Sequence, residues 1–143
     1  MYAIFSIRKL TATSRLNAAQ VQLMKLDDQQ YAIATQKLNL QSELSGERIS
    51  NAQKLSEMYS SLAEASDKDA AKAEISAEEQ KQKEAEEKIN QQTYSLAAQE
   101  NAIELQKKAL ETQITKWSKE LEVIEKAEAD GIERANPKYS GLG

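Results

Sequence analysis

The chain has 143 residues, about the length of one domain, and its 40% hydrophobic share is accompanied by only 5% aromatics. With Val21 and Val123 as its only valines, it has apolar material for a narrow seam and too little for a wide core. A formal net charge of −4, no cysteine and no histidine exclude disulfides, thiolate metal sites and histidine-based catalysis.

The first eleven residues read as an apolar N-terminal segment, with Phe5, Ile7 and Leu10 as candidate docking side chains. The run from Met1 to Phe5 is too short for a signal-peptide core and has no basic segment before it. No stretch approaches the ~20 apolar residues of a membrane span. Cytoplasmic location is the default expectation, with a specialised secretion route left open. Arg8, Lys9 and Arg15 read as ordinary surface charges, too few for a nucleic-acid-binding stripe.

Residues 12–65 read as a first helix, because helix formers fill them and strand-forming clusters are missing. Its stripe runs Leu16, Ala19, Leu23, Leu26, Ile33, Leu40 and Leu44, then Ile49, Leu55, Met58 and Leu62. Leu44 and Leu55 are eleven residues apart, a step that helices accommodate by a local change of supercoil. Gly46 is the one strong breaker here, and continuity through it is favoured over a break.

Ser66, Asp67 and Asp69 predict a turn at 66–70, since Ser and Asp prefer caps to helix interiors. A capping box at Ser76 and Glu79 marks 74–76 as the alternative. The spacing from Asp67 to Glu78 superficially resembles a calcium loop. Ala71 and Lys72 stand where it needs a ligand and a glycine, so the cap reading is preferred.

The second helix is expected over 71–131. Stepping by seven from Ile75 gives Ile75, Gln82, Ile89, Leu96, Ile103, Leu110, Trp117, Ile124 and Gly131, of which seven are apolar. A strict seven-residue repeat of this length keeps one stripe facing a partner. The companion column three residues on is weak, Glu78, Ala85, Gln92, Gln99, Gln106, Gln113, Glu120 and Ala127, and only near the end do Ile114 and Leu121 widen the stripe. Pairs such as Glu79–Lys83 and Glu84–Lys88 support the helix itself. Gly131 is expected as its C-cap, with Pro137 beyond it in a flexible tail over 132–143, where Tyr139 or Leu142 offers a short docking motif.

The fold expected is therefore all-α, a long antiparallel coiled-coil helical hairpin. The alternatives are an extended parallel coiled-coil rod and three helices broken at Gly46. Folding about Lys68 places residue i opposite 136 − i, so that Leu26 faces Leu110, Ile33 faces Ile103, Leu40 faces Leu96 and Ala19 faces Trp117. The helix-pairing seam is then Leu26, Ile33, Leu40, Ile89, Leu96, Ile103, Leu110, Trp117 and Ile124. Phe5, Ile7, Leu10, Trp117, Leu121 and Ile132 gather at the joined N- and C-terminal end as candidate partner-docking residues.

No catalytic, metal or cofactor site is expected: there is no phosphate-binding glycine loop, and neighbouring carboxylates such as Asp27 and Asp28 diverge on a helix. The expected function is non-catalytic, that of a structural or assembly protein using coiled-coil self-association or docking in a larger complex. The expected partner is a protein or a second copy of the chain, with no nucleic acid and no small-molecule substrate, and membrane contact is disfavoured. In length and composition the chain also resembles the small coiled-coil stalk proteins of flagellar and type III export. That likeness of overall form implies an adaptor or export-associated factor as the alternative. A peripheral membrane-associated helical protein is the third reading.

Overall fold

The computed structural model describes residues 2–135. They form two long helices, α1 (Tyr2–Leu62) and α2 (Lys68–Ala135), packed against each other as an all-α helical hairpin. Neither the rod nor the three-helix alternative is the observed arrangement. α1 takes in the residues expected to form a separate segment over 1–11, apart from Met1, and it passes through Gly46 unbroken. Gly46 keeps helical dihedrals, and a single mid-helix glycine costs only about 1 kcal/mol against alanine.

The turn occupies 63–67, between Leu62 and Lys68, and so lies N-terminal to the expected 66–70. Asp67 sets this position. Its carboxylate Oδ1 accepts the Ala70 amide at 3.1 Å, and its carbonyl accepts the Ala71 amide at 3.1 Å. That is N-cap geometry, and it starts α2 at Lys68 rather than 71 or Ser76. On the other side, the Glu64 and Ala65 amides bond to the Ser61 and Leu62 carbonyls and close the end of α1.

α2 does not stop at Gly131. The glycine has no positive φ, so it makes no left-handed cap, and the helix runs on to Ala135. Residues 132–135, expected in the tail, are helical; Pro137, Tyr139 and Leu142 lie outside the described residues.

Two compact units divide the chain. One joins α1 up to Gln29 with α2 from Ala102 onward, and the other spans Gln30–Asn101. The first is centred on Ala12, Ala19, Ile103, Leu110 and Ile124, all buried. There the small Ala19 on α1 and the large Trp117 on α2 line one groove, and Leu26 and Leu110 line another. The second unit is centred on Ile33, Ile75 and Ile89, with Gln82 as its buried polar residue.

Candidate functional site

Inward-turned side chains line the contact between the two helices. On α2 the seven-residue column is turned inward throughout. Ile75, Gln82, Ile89, Ile103, Leu110 and Ile124 are buried, and Leu96, Trp117 and Gly131 are half-buried. On α1, Ile33 is buried while Leu26 and Leu40 are half-buried. Leu16, Leu23 and Leu44 are half-buried too. Ile49, expected in this stripe, instead turns outward and is 64% exposed.

The companion column differs from the one expected along its middle. Glu78 and Ala85 are half-buried, but Gln92, Gln99, Gln106 and Gln113 are exposed. From Ile89 onward half-buried companions stand four residues after the column, at Thr93, Glu100, Lys107, Ile114, Leu121 and Glu128; Ile114 and Leu121 were expected to widen the stripe, and the expected Glu120 and Ala127 are half-buried as well. Residues three and four apart both flank a helical column, and the position of the partner helix decides which is covered.

Within the unit Gln30–Asn101 both helices make such a change of side. α1 takes two successive four-residue steps, Glu47–Asn51–Leu55, and α2 takes two, Ala85–Ile89–Thr93. Such steps make an eleven-residue spacing, which unwinds a left-handed supercoil locally. The levels are joined by Arg48 and Glu86 at 3.5 Å and by the Gln82 side-chain amide on the Asn51 carbonyl at 3.4 Å. Gln82 also donates to Glu78 Oε1 at 3.2 Å, which satisfies its amide where an apolar residue would otherwise continue the column.

Charged residues reinforce the pairing. Lys37 meets Glu100 at 2.8 Å, and Lys54 meets Glu78 at 3.0 Å. The hydrogen bond from Lys54, helped by one from Gln82, holds the Glu78 carboxyl below the usual carboxylate range. Glu79, expected to support Lys83 on its own helix, accepts the Tyr59 hydroxyl at 2.6 Å, which raises the tyrosine pKa. In the other unit Lys107 reaches Asp27 at 2.6 Å and is held charged to higher pH by that bond.

At the N-terminal part of α1 the basic residues find acidic partners on α2. Arg8 bonds Glu120 at 2.8 Å, and Lys9 lies 3.6 Å from Glu128 and 3.9 Å from Glu125. The Arg15 guanidinium stands 5.4 Å above the Trp117 ring and the Lys116 ammonium 5.2 Å from it, a cation–π arrangement.

The described residues expected to dock a partner differ in exposure. Trp117 and Leu121 are half-buried toward α1, whereas Ile7 and Leu10 point outward at 65% and 72% exposure. The side chains of Phe5 and Ile132 lie outside what the structure describes. Reading the sequence for a single buried stripe missed the second set of apolar residues on α1, which includes Ile4, Val21, Met24, Tyr31 and Leu38, all more than half exposed. Their presence was legible as the weak amphipathicity of the first helix, whose apolar residues fall on more than one side.

Among the described residues no group of three or more acidic side chains could hold a metal ion, and no helix is long and apolar enough to cross a membrane. No protein family, curated protein or solved structure matches this chain.

Proposed function

We propose that this chain is a non-catalytic assembly protein that acts through coiled-coil pairing, either with its own copies or within a larger complex. The observation that carries this reading is the outward face of α1. Large apolar side chains at Ile7, Leu10, Met24, Tyr31, Leu38 and Ile49 are 64–77% exposed, although the hairpin already has its own inward stripe. Exposed apolar side chains repeated along one helix are costly in water and gain free energy when another helix covers them. A two-helix hairpin also buries little surface for its length, so further association would stabilise it.

Sedimentation velocity of the full chain over a wide concentration range tests the reading. A concentration-dependent rise in mass supports it, and a monomer at every concentration counts against self-association. The alternative reading, an adaptor docked on export machinery, is favoured by Ile4, Ile7 and Leu10, which are exposed at three-residue spacing in the first turns of α1. Recovery of a stoichiometric partner with the native chain, abolished by charges at Ile7 and Leu10, would select that reading.

A further inference from the structure

The unit Gln30–Asn101 has two unlike helices. Its part of α1, Gln30–Leu62, carries six charged residues, and its part of α2, Lys68–Asn101, carries thirteen. The α2 surface is suited to water. The α1 surface between Tyr31 and Ile49 is not: Tyr31, Leu38 and Ile49 are 77%, 66% and 64% exposed. Steps of three and four residues join Tyr31, Thr35, Leu38, Ser42, Ser45 and Ile49 into one exposed stripe. At ~100° per residue it lies roughly opposite Ile33, Leu40 and Leu44, which turn toward α2.

Gly46 borders this stripe. It is exposed, its backbone is helical, and a Cβ built there would meet nothing within 4 Å. None of the described residues therefore requires a glycine here, although glycine weakens the helix. A neighbouring helix passing close to Gly46 would require one.

The geometry points to this stripe as a homodimer surface, on which two copies pair α1 against α1 in antiparallel fashion about a two-fold axis between Ser42 and Ser45. This rests on the self-association reading above and names its surface. A two-fold interface brings residues near the axis against their own symmetry mates, so a charged face would oppose like with like. Here the residues at the axis are Ser42, Ser45 and Gly46, uncharged and small enough for close helix approach. The same axis seats Leu38 of each copy against Ile49 of the other and lays each Tyr31 beside Ser56. Arg48, which flanks the stripe, is drawn aside to Glu86. With each tyrosine covering about 150 Å² and the aliphatic side chains somewhat less, the two copies bury roughly 1,000 Å², near the lower limit of a specific interface. The dimer is accordingly reversible.

Sedimentation equilibrium of the full chain tests this, with helicity followed by circular dichroism. The wild type is expected to show a reversible monomer–dimer equilibrium. Leu38→Glu with Ile49→Glu is expected to be monomeric at unchanged helicity. Gly46→Leu, a better helix former, is expected to weaken dimerisation at least tenfold while melting no lower. Single-cysteine variants Leu38→Cys and Ile49→Cys should crosslink to each other when mixed, and Tyr31→Cys should not crosslink to itself. A dimer that survives Leu38→Glu with Ile49→Glu overturns this surface and leaves self-association standing through another. A wild type that stays monomeric overturns both. Self-crosslinking of Tyr31→Cys overturns the antiparallel arrangement.

Discussion

Lys37 and Glu100 meet across the hairpin at 2.8 Å, each in an inward-turned position of its helix and each about 30% exposed. The pair stands where a tight zipper would place leucine, and its attraction is offset by the cost of partly desolvating two charges. Removing one partner leaves the other half-buried without compensation. Glu100→Leu is therefore expected to lower stability by about 1 kcal/mol, and Lys37→Leu combined with Glu100→Leu to restore it or exceed it by about 1 kcal/mol. Urea denaturation of the two variants beside the wild type checks the order.

Ile124 and Val123 are neighbours with opposite surroundings, 1% and 59% exposed. Truncating a fully buried isoleucine removes its transfer free energy and leaves a cavity. Ile124→Ala is expected to cost about 2–4 kcal/mol and Val123→Ala less than about 0.5 kcal/mol. Thermal melts of the pair measure both.

Glu78 is the acid-sensitive end of the Lys54 contact. Its folded pKa is lowered, chiefly by the Lys54 hydrogen bond and then by Gln82. A depressed carboxylate contributes stability above its unfolded pKa, and that contribution disappears as pH falls through the folded value. The wild-type melting temperature should therefore fall more steeply below the ordinary glutamate range than that of Glu78→Gln. Lys107, whose pKa is raised by Asp27, has the opposite sign. Its contribution is complete below the ordinary lysine pKa and is lost as pH rises through the higher folded value. Melts from acid to strongly alkaline pH, with Glu78→Gln and Lys107→Gln as references, read both limbs.

Asp67 and Gly46 are predicted to respond in opposite directions. Asp67→Ala removes the acceptor of the Ala70 amide and is expected to cost about 1 kcal/mol. Gly46→Ala adds a Cβ where nothing lies within 4 Å and is expected to stabilise by up to about 1 kcal/mol. The comparison is made by circular dichroism at dilutions where the chain is monomeric, so that α1 alone is probed.

Much of the hairpin was legible in the amino-acid order. Seven-residue spacing from Ile75 to Gly131 and the stripe from Leu16 to Leu44 mark faces that are buried or half-buried. The reason is local: a helix turns each residue by a constant angle, so a repeated spacing defines a face before any partner is present. Helix type itself followed from composition and from the scarcity of breakers.

Other features required the second helix to be in place. Whether the residue three or four beyond a column is covered depends on the side from which the partner packs, and so Thr93, Glu100 and Lys107 line the seam where Gln92, Gln99 and Gln106 were expected. Ile49 was expected in the inward stripe, but it stands five residues after Leu44, about 140° round the helix at ~100° per residue, and the stripe continues instead through Glu47, Asn51 and Leu55. Candidate caps stood at Ser66, Asp67, Asp69 and Ser76, and helix propensity ranks them nearly equally. In the folded hairpin Asp67 is the one that caps α2, its Oδ1 accepting the Ala70 amide at 3.1 Å. Local angles determined the faces of these helices, and only their contact decided which neighbours of each face are withdrawn from water.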